Sequence, residues 1–208
     1  MPVQALIADL DNTIYPVSSI GDKLFAELFE LLRPELDVGT FEQVATDIKR
    51  KPFQWVAQQY SFSAQLTKRA NELLNTLEWN GPMKAFSDYP ALRDYPARSF
   101  LVTTGYTALQ QSKVRQLGIA ADFSEIHIVD PNRSNDTKKT IFQDILRRHS
   151  YPPEKVLVVG DDPASELLAG RDLGMVTVLY DPADRYDSGE ADYIIRSFYD
   201  LPEPDSIP

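Results

Sequence analysis

Residues 155–174 read KVLVVGDDPASELLAGRDLG, and the fold class follows from this stretch. A short apolar run, residues 155–159, ends at Gly160-Asp161-Asp162. Helical spacing then runs from Ala164 to Leu173 and closes at Gly174. An apolar run without polar alternation suits a strand buried on both faces, and a helix directly after it suits a crossover connection. The same unit recurs along the chain. Residues 3–8 (VQALIA), 99–102 (SFLV), 126–129 (IHIV) and 176–179 (VTVL) are further apolar runs, and 193–195 (YII) is a sixth candidate. Between them Leu109, Val114 and Leu117 close at Gly118, and Ile141, Ile145 and Leu146 form another helical set. Strands alternating with helices predict an α/β protein with a doubly wound, Rossmann-like parallel sheet.

Residues 15–82 break that rhythm. Leu24, Leu28, Leu31 and Leu32 recur at helical spacing, and Val44, Ile48, Val56, Ala70, Leu73, Leu74 and Leu77 continue the pattern between prolines 34, 52 and 82. The expectation is a helical insertion between the first two strands. Its aromatics (Phe25, Phe29, Phe41, Phe53, Trp55, Tyr60, Phe62 and Trp79) are read mostly as its own small core. The division expected is therefore an α/β core of residues 1–14 and 83–200, a helical unit of 15–82, and a frayed, proline-rich acidic tail of 201–208.

The 208 residues are 43% hydrophobic and 25% charged, an ordinary globular mixture. The absence of cysteine removes disulfides, thiolate metal sites and cysteine nucleophiles, and suits a reducing compartment. Thirty-one acidic and 21 basic side chains give a formal charge of −10, which argues against a nucleic-acid polymer as partner. Two histidines, His127 and His149, are too few for a multi-histidine zinc site. The start carries no charged leader and no run approaches the ~20 apolar residues that span a bilayer, so a soluble cytoplasmic protein without membrane partners is expected. Oligomeric state is left open.

Chemistry-bearing residues gather at the expected strand ends. Asp9-Leu10-Asp11-Asn12-Thr13 follows the first run, and ligands of open parallel sheets sit beyond the carboxyl ends of strands. Two aspartates there repel unless a cation or proton intervenes, although Asp11-Asn12 also reads as an ordinary turn. Asp161 adds a carboxylate at the same edge, so the donors are hard oxygens and point to magnesium. Asp162-Pro163 also reads as a helix cap. Thr103-Thr104-Gly105 offers a hydroxyl and amides for phosphate oxygens. Lys138-Lys139 begins a helix, where a lysine can neutralise charge but more often faces solvent.

Taken in order, DLDNT, Thr103, a lysine before a helix and GDD resemble the four motifs of the haloacid dehalogenase superfamily of phosphohydrolases. The resemblance spans residues 1–14 and 83–182 and includes LVTTG, KVRQLGI and VLVVGDDPASELLAGRDLGM. It implies Asp9 as a nucleophile forming an aspartyl-phosphate, and Asp11 as the acid and base beside it. It implies Asn12, Thr103, Thr104 and Lys138 as phosphate-binding groups, with Lys139 a close second to Lys138. Magnesium is implied on Asp9, the Leu10 carbonyl and Asp161, with Asp11 nearby. Asp162 and Glu166 are auxiliary, Glu166 standing where such proteins often carry an aspartate. Asp11 favours phosphate esters over carbon–halogen bonds. The insertion corresponds to a helical cap, and DNTIYP with Ser18-Ser19 resembles the pyrimidine 5′-nucleotidase-like branch. Tyr15, Ser19, Arg50, Lys51 and Trp55 are the candidates for substrate selection.

The function implied is magnesium-dependent hydrolysis of a small phosphate monoester, such as a nucleotide or sugar phosphate. Three other readings are weighed beside it: phosphotransfer or a mutase on the same residues, a receiver-like signalling domain, and a catalytically silent binding protein.

Overall fold

Six parallel strands form one sheet in the order β3-β2-β1-β4-β5-β6. They are β1 (Ala5–Ala8), β2 (Arg98–Thr104), β3 (Glu125–Val129), β4 (Val156–Gly160), β5 (Val176–Tyr180) and β6 (Tyr193–Ile195). The computed structural model of the chain describes residues 2–187 and 189–207. Each of the six apolar runs is a strand, and the Rossmann-like α/β class holds. β1 pairs with β2 on one side and β4 on the other, Ile7 lying opposite both Phe100 and Val158. The order reverses at β1, so the carboxyl ends of β1, β2 and β4 border one crevice, where such sheets bind ligands.

The strands are buried on both faces because two apolar layers cover them. Leu6, Ala8, Leu157 and Val159 belong to one core and Ala5, Ile7, Phe100 and Val158 to the other. The helices in chain order are α1 (Gly21–Leu24), α2 (Ala26–Leu32), α3 (Val38–Ile48), α4 (Phe53–Gln59), α5 (Ala64–Thr76), α6 (Tyr89–Arg93), α7 (Thr107–Leu117), α8 (Lys138–His149) and α9 (Leu168–Arg171). Phe142 and Ile145 of α8 are fully buried in the second core. The first core is continuous with the interior of α1–α5, through Leu28, Val44, Val56, Ala70 and Leu74.

Local signals account for the helix ends. Asp37 accepts from Thr40 N–H to cap α3, and Ser63 accepts from Leu66 N–H to cap α5. Thr137 and Thr140 exchange hydrogen bonds at the start of α8. α7 ends on Gly118 at φ +70°, the left-handed conformation that glycine adopts without strain. Between Ile14 and Phe86 the chain leaves the sheet as the helical insertion and returns, and Phe86 N–H donates to the Ile14 carbonyl across the two crossings.

Three expectations change. Residues 164–173 are not one α-helix: Pro163–Leu167 forms a wide π turn ahead of α9. Trp55 is 43% exposed, whereas Phe25, Phe41 and Phe53 are buried. The tail does not fray through residue 207. Val3 N–H donates to the Pro204 carbonyl, Tyr95 OH to the Pro202 carbonyl, and Ile207 is buried in the first core. No helix among the described residues is long and apolar enough to cross a membrane.

Candidate active site

Asp9 follows β1 directly, and its N–H donates to the Val159 carbonyl, so it continues the sheet by one residue. Its side chain is 8% exposed. Lys138, the first residue of α8, places Nζ 2.6 Å from Asp9 Oδ1 and 2.7 Å from Glu166 Oε2. Lys139 points elsewhere, to Asp172 at 2.8 Å on the surface. The pair that sequence left ambiguous is thus separated by direction along the helix: only Lys138 faces the crevice.

One ammonium between two buried carboxylates leaves a deficit of positive charge. Burial pushes the Asp9 carboxyl well above its ordinary value; Lys138 opposes this and the Glu166 charge adds to it. Burial works against the Lys138 charge, but the Asp9 and Glu166 charges outweigh it and hold the ammonium firmly protonated. Asp161 enters from the end of β4. Burial first, then the Glu166 charge, raise its carboxyl to about 7, against the pull of Arg50 and Arg185.

Asp9, Asp161 and Glu166 each offer one carboxylate oxygen, and these atoms lie within 4.8 Å of one another. An all-oxygen, strongly anionic set fits a hard divalent cation such as magnesium. The Leu10 carbonyl accepts from Ile14 N–H at 2.9 Å, which leaves it one lone pair. Glu166, expected only as an auxiliary group, adds a third carboxylate to Asp9 and Asp161. The π turn explains how a glutamate gets there: it folds Glu166 back until Oε1 accepts from Asp162 N–H at 3.0 Å.

Asp11 lies opposite, 28% exposed at its side chain. Lys113 Nζ contacts both its oxygens at 2.8 and 3.0 Å, Gln110 Nε2 donates at 2.9 Å, and the buried Tyr15 hydroxyl donates to Oδ1. Burial alone would raise this carboxyl; the Lys113 charge and the three donors outweigh it and hold it below its ordinary value. Thr103 Oγ1, buried at the end of β2, accepts from Gln110 Nε2 at 2.6 Å. Asn12 sits at φ +59° and its Oδ1 accepts from Val17 N–H, turning the chain from β1 into the insertion.

The crevice is roofed by the insertion. Val17, Phe25, Leu28, Ile48, Phe53 and Leu74 form apolar walls, and Lys49, Arg50 and Lys51 line it between α3 and α4. Lys51 pairs with Asp162 at 2.7 Å, and Arg50 approaches Asp161 at 3.6 Å. Asp162 also caps the following turn by accepting from Ala164 N–H. Asn12, Thr103, Thr104, Lys138, Asp161, Asp162 and Glu166 all border this cleft with Asp9 and Asp11. Ser19 and Trp55 do not. Ser19 is exposed and donates to the Pro16 carbonyl, and Trp55 lies on the outward side of α4. Tyr15 is buried against Asp11 rather than lining the cleft.

Sequence reading missed Gln110, Lys113 and Arg185. Gln110 and Lys113 are 1% and 3% exposed. Their signal was present: they fall three apart on the helix that starts just after Thr103-Thr104-Gly105, so they share the face turned to that loop. Arg185, in the loop after β5, reaches Asp161 at 3.5 Å without any local sequence sign.

A reversed-order parallel sheet with these groups at its switch point defines a class, and the chain belongs to it: residues 3–174 match the hydrolase family described as haloacid dehalogenase-like hydrolase. Among curated proteins it is 23% identical over 183 residues to pyrimidine 5′-nucleotidase PynA of Streptococcus pneumoniae, covering 84% of this chain and 71% of that one. It is also 23% identical over 198 residues to the glyceraldehyde 3-phosphate phosphatase of Methanopyrus kandleri, covering 85% and 83%. Among solved structures, CbbY from Rhodobacter sphaeroides in complex with phosphate superimposes with a TM-score of 0.71 at 15% identity over 99% of both chains. The likeness of fold to that structure runs from the sheet through the roof.

Proposed function

We propose that this hydrolase cleaves small phosphate monoesters by way of an aspartyl-phosphate on Asp9. The observation that carries the reading is Lys138 held between Asp9 and Glu166, with Thr103 and Asp161 on the two flanking strand ends. Asp9 attacks phosphorus: its Oδ–P bond forms as the bond from phosphorus to the ester oxygen breaks. Asp11 in its protonated form supplies a proton to the departing oxygen, although Lys113, Gln110 and Tyr15 favour its ionised form in the free protein. Water then adds to phosphorus, the Asp9–phosphate bond breaks, and the water proton returns to Asp11. Lys138, the Thr103 hydroxyl and the Thr104 amide hold the equatorial oxygens, where negative charge is spread in the transition state. Magnesium on the Asp9, Asp161 and Glu166 carboxylates would screen the anionic nucleophile from the anionic phosphate.

The roof supports a cap role for residues 15–82. Its apolar wall suits the organic part of the ester, and Arg50 and Lys51 stand where a second polar or anionic group would meet them. The two curated relatives make nucleotides and triose phosphates the first esters to try. Cysteine-free composition suits a cytoplasmic enzyme.

The test is phosphate release from nucleoside monophosphates, sugar phosphates and an aryl phosphate, with magnesium and with chelator. Turnover that needs the metal and vanishes in Asp9→Asn is expected. Folded, metal-binding protein that turns over none of these esters would sink the reading.

A further inference from the structure

Asp11 is the most heavily bonded carboxylate of the cleft. An ionised carboxylate offers about four lone-pair positions. Lys113 takes up both oxygens, Gln110 adds a second bond at Oδ2, and Tyr15 adds a second at Oδ1. Three donors from two separate elements thus fill the acceptor capacity of a group that has to meet a leaving oxygen. A carboxylate fixed this way has one orientation, and it reaches substrate only by exchanging one partner.

Gln110 is the partner that also reaches the phosphate-binding strand end. Its amide nitrogen has two hydrogens, and its two short contacts are Asp11 Oδ2 and Thr103 Oγ1. A hydroxyl has one hydrogen. Because Thr103 accepts from Gln110, its own hydrogen is free to be donated to a phosphate oxygen. The same amide therefore joins the phosphate-binding hydroxyl to the acid–base carboxylate. Lys113 is different in kind: nearly fully buried on α7, with its ammonium 5.9 Å from the centre of the Tyr15 ring, it is held in place from two sides.

We propose that Gln110 and Lys113 are positioning residues for Asp11: Lys113 anchors its carboxylate, and Gln110 ties its orientation to phosphate bound at Thr103. The proposal rests on the phosphatase reading above, because a positioned acid matters only if an oxygen leaves.

Leaving-group chemistry supplies the test. kcat/KM reports the steps up to formation of the aspartyl-phosphate, and an alkoxide needs a proton to leave whereas p-nitrophenolate does not. Wild type, Gln110→Ala, Lys113→Met, Lys113→Arg, Asp11→Asn and the double variant Lys113→Met/Asp11→Asn are compared with magnesium present. The esters are p-nitrophenyl phosphate and the alkyl phosphate that wild type turns over best. General acid catalysis contributes about 10²-fold or more. Gln110→Ala and Lys113→Met are therefore expected to lose about 10- to 100-fold on the alkyl ester and less than about threefold on the aryl ester. Lys113→Arg recovers part of the loss, and Lys113→Met adds little to Asp11→Asn because the two share one function.

Equal losses on both esters with a lowered Tm would make the clamp merely structural and overturn the proposal, as would unchanged kcat/KM on the alkyl ester. A wild type inactive on both esters overturns the phosphatase reading first, and this inference with it.

Discussion

Gly160 and Glu166 occupy the same space: a Cβ built on Gly160 would lie 2.0 Å from Glu166 Oε1 and 2.3 Å from its Cγ. The glycine that ends β4 is therefore the room into which the glutamate folds. Only with that room does Oε2 reach Lys138 and Oε1 reach the Asp162 N–H. The extra methylene that distinguishes glutamate from the family's usual aspartate is absorbed by the π turn and by this missing side chain.

Gly160→Ala is accordingly expected to expel Glu166 from the site. Activity should fall by about 10²-fold, comparable with Glu166→Gln, while overpacking costs about 1–3 kcal/mol. Steady-state kinetics and urea unfolding of both variants check this. Full activity in Gly160→Ala would show that the glutamate is dispensable.

Lys138 and Lys139 give a sharper contrast. Lys138→Met removes the only ammonium within hydrogen-bonding distance of the Asp9 carboxylate among the described residues and should lower kcat by about 10²-fold or more. Lys139→Met breaks an exposed pair with Asp172, worth about 0–1 kcal/mol, and should leave kcat within about twofold. Comparable losses in the two variants would contradict the geometry.

Much of this site was legible because strand ends and helix starts announce themselves. Asp9, Thr103 and Asp161 follow runs that are apolar on both faces, and Lys138 opens a helix whose spacing is clear at Ile141 and Ile145. What was not legible depended on directions the chain does not encode locally. Gln110 and Lys113 read as a polar helix face, which ordinarily meets solvent; here that face meets Asp11. Arg185 arrives from a loop far along the chain. Ser19 and Trp55 erred the opposite way, since neither closeness to Asp9 in sequence nor membership of the insertion aims a side chain inward. The tail misled by composition: its prolines and acids suggest fraying, but one apolar residue, Ile207, anchors it.

A second charged cluster lies away from the cleft and sets an acid sensitivity. Glu125 accepts from Arg148, His149 and His127, and these hydrogen bonds, Arg148 foremost, hold its carboxyl far below the usual range against a smaller effect of burial. A carboxyl depressed in the folded state adds stability above its unfolded pKa and loses it as pH falls toward its folded one. Urea unfolding should show Glu125→Gln less stable than wild type at about pH 6, with the gap narrowing by about pH 4. A gap that widens on acidification would reverse the assigned sign.

Arg50 and Arg185 place guanidinium nitrogens 3.6 and 3.5 Å from Asp161 Oδ2, one from the roof and one from the loop after β5. Any cation that binds Asp161 has to compete with both. Removing either competitor is therefore expected to tighten magnesium binding, by about three- to tenfold if each pair between a buried carboxylate and a partly exposed guanidinium contributes about 1 kcal/mol. Isothermal titration of Arg50→Gln and Arg185→Gln with magnesium reads this directly, without reference to turnover. Asp161→Asn, measured alongside, should weaken binding instead. The two arginines should also part company in kinetics: Arg50 lines the cleft and Arg185 does not, so a raised KM is expected only for Arg50→Gln. Magnesium affinity unchanged or weakened in both arginine variants would show that the guanidiniums assist the cation site rather than contest it.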